Sequence, residues 1–463
     1  MASPATAELD DALDGTPVPP QRRGLPPGPR MSPAAQTLAW ALAPTWVMDQ
    51  CSRRLGEAFT LTMAPSGLKL VLFGDPQAVK QVFTAPPEVA PSGAGSSAVA
   101  PVLGQSSVLT LTGPEHMRQR KLLLPPFHGE RMREYEDVMV QATRSDMASW
   151  PLGRPMHMQR HTRAITLEVI VRAVFGVEAE RMGPLKQAIR ELAEPVRVTA
   201  VLRALMRRPT GERPTGALGR ALQRLDELIY AEIQRRRGAS DVERRSDIMS
   251  LLLLARDEDG AAMTDVELRD ELVTLLLAGH ETTATSVAWA LERLVRHPQS
   301  LARLVAEIDA AGEGEEYMTA VINETLRVRP VVPIVVRVLT QELQVGSYVL
   351  PKGTRVAPSI YLTNRSASAY DDPREFRPER FLGASGERAI SPFSWIPFGG
   401  GIRRCIGASF AQMEMKVMLR TMLSELEPRA PDGWRGRRDE WTRRRAVTLV
   451  PSAGASVVWE RRA

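Results

Sequence analysis

The residues best suited to chemistry lie in one loop, Phe398-Gly-Gly-Gly-Ile-Arg-Arg-Cys-Ile-Gly407. Its glycines lead straight into a helical stretch, and Cys405 stands at the junction. Unpaired N–H groups and the helix dipole favour an anion at a helix N-terminus. A thiol there is expected to have a lowered pKa and to make a good metal-binding thiolate. The glycines let the backbone fold beneath the sulfur and offer it N–H donors, which tune a bound metal. Rival chemistries fail on spacing. A phosphate-cradling loop wants Lys-Ser/Thr after its last glycine, whereas Ile402, Arg403 and Arg404 follow Gly401. A dinucleotide fingerprint wants a glycine where Arg404 stands, and covalent haem attachment wants a Cys-x-x-Cys-His that is absent. Taken alone, the loop reads more often as a buried, inert cysteine after a tight turn.

A second cluster interrupts an apolar helix with poor helix formers, Ala278-Gly-His-Glu-Thr-Thr-Ala-Thr-Ser286. Gly279 permits close approach to the backbone. Thr282 can bond back to a carbonyl and bend the helix. Glu281 is costly there unless partnered or hydrated. An acid beside an alcohol in a locally opened helix suits proton delivery; the alternative is a polar stripe facing solvent or a neighbouring helix. Three weaker patterns complete the set. Glu324 and Arg327 share a helix face, Phe376-Arg-Pro-Glu-Arg-Phe381 offers Arg380 as a third partner, and His116 and Arg120 are donors one turn apart. Each alone reads as an ordinary surface pair.

These residues need elements to position them. Thr264-Asp-Val-Glu267 is a capping box and His297-Pro298 a stop, so the spacing predicts one helix of roughly 50 Å between them. Apolar residues from Leu272 to Ala278 cover most of its faces, which predicts burial. Helical runs are also expected over Pro114–Arg256, Ser300–Arg327 and Ile406–Leu426, the first broken by the Gly/Pro/Arg-rich stretch from Arg207 to Gly219. Leu68–Phe73 and Gln341–Ala357 read as β structure with a turn at Pro351–Thr354, Pro86–Gly104 as a long mobile loop, and Asn364–Ser394 as irregular. Residues 1–30 read as a Pro/Gly-rich leader, and the fold as mainly α with a small β lobe.

Composition narrows the function. The 463 residues are 43% hydrophobic and 25% charged, close to a globular average. A formal charge of +6 over this length lacks the dense basic face of a nucleic-acid binder, so no nucleic-acid partner is expected. Cys51 and Cys405 cannot make a disulfide framework or a cysteine-rich zinc site, which favours a reducing, cytoplasmic compartment. Glu8, Asp10 and Asp11 stand where an export signal would be basic, and no apolar run reaches membrane-spanning length, so no membrane anchor is expected.

Together and in this order, the motifs resemble those of the cytochrome P-450 haem-thiolate monooxygenases. The resemblance runs from Leu25-Pro-Pro-Gly-Pro to the final helix, and the cysteine loop matches the family's Phe-x-x-Gly-x-x-x-Cys-x-Gly pattern in full. It implies the P-450 fold, with a long central helix across the haem and a single haem-thiolate domain over 31–463. It implies haem b held by Cys405 as proximal iron ligand, with Phe398, Gly399 and Gly407 shaping the loop. His116, Arg120, Arg337 and Arg403 match positions that pair with the haem propionates. Ala278 and Gly279 line the oxygen side, where Glu281 and Thr282 deliver protons; Glu281 replaces the more frequent Asp. Glu324, Arg327 and Arg380 match the family's structural ion-pair triad.

The implied reaction inserts one oxygen atom of O2 into a small molecule. Reducing equivalents come from NAD(P)H through a ferredoxin or flavodoxin and its reductase, as in soluble bacterial members. Such partners are acidic, so Arg118, Lys121, Arg443, Arg444 and Arg445 are candidate docking residues. Pocket walls are expected from Pro86–Val108, the 193–215 region, Leu275, Ala278 and Val331–Val336. The apolar residues of the last segment suggest a terpene, fatty acyl chain or steroid as substrate. A peroxide-driven relative and a non-enzymatic haem protein are the alternatives; neither needs the Glu281–Thr282 pair.

Overall fold

The computed structural model describes residues 22–91, 93, 99–127, 129, 131–176, 179–193, 214–310, 314–383, 390–433 and 439–462. Thr264 opens the central helix as the sequence predicts. Its hydroxyl accepts from the Glu267 N–H at 3.2 Å, while the Glu267 carboxylate accepts from the Thr264 N–H at 2.7 Å. The helix runs over Asp265–Arg296 and stops before Pro298. Its 32 residues span roughly 48 Å, and buried side chains occur on every face. Helix Met158–Phe175 packs along it, and helices Arg131–Met147 and Ala408–Glu425 complete the bundle. Leu272, Val287, Leu291, Ile165, Val169 and Met418 belong to its shared apolar core.

A small β lobe stands beside the bundle. Its four-stranded sheet has the order Ala58–Met63, Leu68–Phe73, Arg355–Pro358, Arg337–Val338. The first two strands pair antiparallel with Phe59 opposite Leu72. Leu68–Phe73 then pairs parallel with Arg355–Pro358, placing Leu70 opposite Arg355. Both faces of this sheet are buried, Phe59, Leu61 and Leu72 in one apolar cluster and Val71, Phe73 and Val356 in another. Arg337 enters the structure through its pairing with Val356.

Three expectations change in detail. The helical run expected over Ser300–Arg327 divides into Pro298–Asp309 and Glu316–Val328. Gly314 lies between them at φ +110°, a conformation that a continuing helix cannot hold. The β segment expected at Gln341–Ala357 is a hairpin, Leu343–Val345 with Tyr348–Leu350, followed by the separate strand Arg355–Pro358. The final helix begins at Ala408. Residues 1–21 of the expected leader, 92 and 94–98 of the expected loop, and 207–213 of the expected break lie outside the described residues. Arg22–Arg23 pairs parallel with Tyr348–Val349, and the carbonyls of Pro26 and Pro27 accept from Thr60 at 2.7 and 2.9 Å.

Candidate active site

The cysteine loop is a tight backbone structure. The Cys405 N–H donates to the Phe398 carbonyl at 2.9 Å, closing the loop across a short turn at Gly401–Arg403. Gly399 and Gly401 hold φ of +70° and +65°, where a side chain is strained. Gly400 is needed for space, since a Cβ there would collide with the ring of Phe83. The loop is thus seated on the end of helix Pro76–Thr84. Protein encloses Cys405 on most sides, yet its side chain is exposed, as befits a group at the bottom of a cleft.

The expectation of an acidic thiol does not hold for the protein alone. Burial pushes the Cys405 thiol up, outweighing the Gly407 N–H to its sulfur and the charges of Arg120 and Arg404. The helix starts only at Ala408, three residues beyond the cysteine, so its terminus is not directly beneath the sulfur. A metal cation would supply the missing stabilisation of the thiolate.

Beside the cysteine, four nitrogen-bearing side chains converge. His116 and Arg120 come from helix Gly113–Leu123, Arg337 from the edge strand of the β lobe, and Arg403 from the cysteine loop. Burial, then the charges of Arg403, Arg120 and Arg337, lower the His116 pKa to about 4, so the ring is neutral near pH 7. His116 is 1% exposed, and neither ring nitrogen has a hydrogen-bond partner among the described residues. Burial pushes Arg337 and Arg403 down to about 10, Arg403 being lowered further by its two arginine neighbours. Arg403 donates to the carbonyls of Val108 and Leu111, and Arg337 to that of Val336 at 3.2 Å. Among the described residues no carboxylate pairs with Arg120, Arg337 or Arg403. Such a gathering of partly buried cations is costly unless an anion joins it. The two propionates of haem, beside an open cysteine sulfur, fit this donor set.

On the central helix, Leu275, Ala278 and Thr282 share one face, with Ala278 exposed and the other two half-buried. Thr282 donates to the Ala278 carbonyl at 2.7 Å, and Thr283, Thr285 and Ser286 each bond back four residues in the same way. A Cβ on Gly279 would meet Ile170 at 3.3 Å. The close approach inferred at this glycine is therefore that of helix Met158–Phe175. Glu281 lies 2.7 Å from Arg163 Nε and 3.6 Å from Arg445 Nε.

Glu324, Arg327 and Arg380 do come together. Arg327 and Glu324, both fully buried, form a two-pronged pair at 2.6 and 2.7 Å. Arg380 Nε lies 3.4 Å from Glu324, which also accepts the Arg377 backbone N–H at 2.8 Å. The remaining Arg327 N–H groups donate to the carbonyls of Asn364, Pro373 and Glu375 at 2.9, 2.7 and 2.8 Å, so the guanidinium is satisfied throughout.

Residues 26–454 match the family described as Cytochrome P450. The chain belongs to the cytochrome P450 family. It is 41% identical over 441 residues to a Mycobacterium tuberculosis protein named cytochrome P450 135B1, covering 94% of this chain and 91% of that one. It is also 40% identical to cytochrome P450 137 of the same organism over 453 residues, 96% of this chain and 91% of the relative. Among solved structures, retinoic acid bound cyanobacterial CYP120A1 superposes with a TM-score of 0.82 at 24% identity, covering 95% of this chain and 99% of that chain. The haem domain of cytochrome P450DA gives 0.80 at 23%, with coverage of 96% and 98%. At those identities the structural likeness concerns the fold. Family membership makes this P450 a haem-thiolate monooxygenase that acts on a small molecule and takes electrons from a redox partner. No described helix is long and apolar enough to cross a membrane.

Two docking candidates of the P450 need correction. Arg118 pairs with Asp257 at 2.5 Å and Glu267 at 2.6 Å, and Lys121 with Glu258 at 2.6 Å, so their charges are answered within the chain. Arg445 faces Glu281, and Arg444 donates to the carbonyls of Ala446 and Trp40 at 2.9 and 3.3 Å. Arg443 is exposed. Arg163, the nearest cation to Glu281, carries no local signal in the sequence. A carboxylate in a buried helix demands a cation, but nothing in the spacing says which arginine reaches it. Of the expected pocket walls, 194–213 lie outside the described residues. Val331 is buried, and its carbonyl accepts the Leu449 N–H at 2.7 Å.

Proposed function

We propose that this P450 oxidises an apolar small molecule of the terpene, fatty acyl or steroid class. Haem b is its cofactor, with NAD(P)H-derived electrons delivered by a cytoplasmic ferredoxin or flavodoxin. The observation that carries the haem assignment is the cluster of His116, Arg120, Arg337 and Arg403 beside the open sulfur of Cys405, with no carboxylate paired to its arginines among the described residues. Bound haem supplies the oxygen-activating iron chemistry. Cys405 is its thiolate ligand, with Phe398, Gly399 and Gly407 shaping the loop around the sulfur. The cationic cluster neutralises the propionates. Ala278 forms the wall facing the reacting oxygen, and Gly279 beside it lets helix Met158–Phe175 pack closely against that turn. Thr282 holds a proton donor at that wall, and Glu281 resupplies protons from the side of Arg163 and Arg445. Glu324, Arg327 and Arg380 serve folding and haem retention.

The substrate class rests on the apolar character of Leu275, Ala278, Val331, Val332, Ile334 and Val335. Titrating ferric holoprotein with a terpene, a fatty acid and a steroid while recording the Soret band tests it. A shift towards high-spin iron with one class is expected; a low-spin band unmoved by all three removes the apolar reading. Thr282→Ala should retain haem and substrate binding while product per electron falls by about 10-fold or more, with hydrogen peroxide rising in its place. Unchanged coupling would remove Thr282 from proton delivery.

A further inference from the structure

Three residues in the first half of the central helix grip one short strap of chain, Gly104 to Leu111. Asp270 accepts the Ser106 N–H at 2.9 Å, Glu271 accepts the Val108 N–H at 2.7 Å, and the Thr274 hydroxyl meets that of Ser107 at 2.7 Å. All three helix residues are buried, Glu271 completely. The strap also closes on itself, the Leu111 N–H donating to the Ser107 carbonyl at 3.0 Å and the Thr110 hydroxyl to that of Gly104 at 2.9 Å. Gly104 holds a φ of +98°, and a Cβ there would strike the Asp270 carboxylate. A carboxyl group is costly to bury. Among the described residues, the hydrogen bond of Glu271 is the one to Val108, and its Oε2 has no partner.

The other side of the same peptide groups serves the cationic cluster. The Val108 carbonyl accepts from Arg403, and so does that of Leu111. The strap therefore takes two of the five guanidinium hydrogens. Arg403 Nε is buried with no partner among the described residues. A planar guanidinium held at two points has its remaining donors aimed in a fixed direction, and here they are left for an anion.

We propose that Glu271 is a positioning residue for the haem edge: by holding the strap at Val108 it sets, through Arg403, how fully a propionate is neutralised. Asp270 and Thr274 fasten the same strap on either side of that bond. The inference rests on the reading of Arg403 as a propionate partner. A propionate left less neutralised adds negative charge near the iron and disfavours uptake of an electron. A slack strap is therefore read as a lower reduction potential and a faster loss of haem.

The test uses substrate-free, low-spin holoprotein. Glu271→Leu should lower the equilibrium constant for haem reduction by about threefold or more, about 28 mV for one electron, and should speed haem transfer to apomyoglobin by a similar factor. Glu271→Gln, whose amide oxygen still accepts from Val108, should recover most of both. Arg403→Gln should lower the potential at least as far as Glu271→Leu, and adding Glu271→Leu to it should lower the potential no further. A wild-type potential in Glu271→Leu beside a shifted one in Arg403→Gln overturns the positioning role, as do additive effects in the double variant. A wild-type potential in Arg403→Gln overturns the propionate reading of Arg403 and this inference with it, so the two failures are distinguishable. If Glu271→Leu does not fold, Thr274→Val, which removes the bond to Ser107, carries the same comparison; an unmoved potential there overturns the role of the strap.

Discussion

Glu324→Ala is expected to leave little recoverable haem protein. Arg327 would remain fully buried with three backbone carbonyls around it and no countercharge. The Arg377 N–H would lose its acceptor, and Arg380 would lose its neighbouring carboxylate. Breaking a buried pair by removing one partner costs about 3–5 kcal/mol. That is a large share of the roughly 5–15 kcal/mol that holds a typical domain together. Glu324→Gln keeps the shape and part of the hydrogen bonding but not the charge, so it should fall between. Soluble yield, haem content and resistance to urea, compared for the three proteins, check the order. Equal stability of wild type and Glu324→Ala would mean that the network is dispensable. Double substitution of Glu324 and Arg327 by apolar residues should recover part of the loss, because no uncompensated charge is then buried.

Cys405→Ala should have the opposite profile, a large spectroscopic effect with a small structural one. The side chain is exposed, so truncation opens no packed cavity. The loop is held by the Cys405 backbone N–H, the positive-φ glycines and the Phe83 contact, all of which survive the substitution. The cationic cluster that suits the propionates is likewise untouched. Folded protein with reduced haem content is therefore expected, and its reduced CO complex should lose the thiolate-type Soret band. Persistence of that band would end the ligand assignment. Set beside Glu324→Ala, this variant separates residues that define the reaction from residues that hold the shell.

Local signals proved readable where one short stretch carries the whole cause. The capping box at Thr264 and the proline at 298 bound the central helix within a residue or two, because both act on adjacent backbone. The cysteine loop was legible for the same reason: its glycines answer to φ and to local space. Pairings across the chain were not. Arg118 and Lys121 look like free surface charges until the turn at Asp257–Glu258 folds against them. Arg163 and Arg445 are ordinary arginines until packing brings them to Glu281. The division of the run after Ser300 was the exception, a local signal at Gly314 that the helical periodicity outweighed.

The route by which Arg337 reaches the cluster bears on how the protein is made. Its strand is held by Arg355–Pro358, which in turn pairs with Leu68–Phe73 from the other end of the chain. His116 and Arg120 must then wait for both Arg337 and Arg403 before an anion finds all of its partners. At about 5–20 residues per second, a ribosome takes roughly 20–90 s over a chain of 463 residues. For most of that time half of the cluster does not exist, and sheet pairing at such sequence separation is slow to close. Cofactor capture thus belongs late in synthesis or after it, since the emergence of Arg403, rather than of any earlier segment, sets the earliest moment at which the whole cluster can receive its anion.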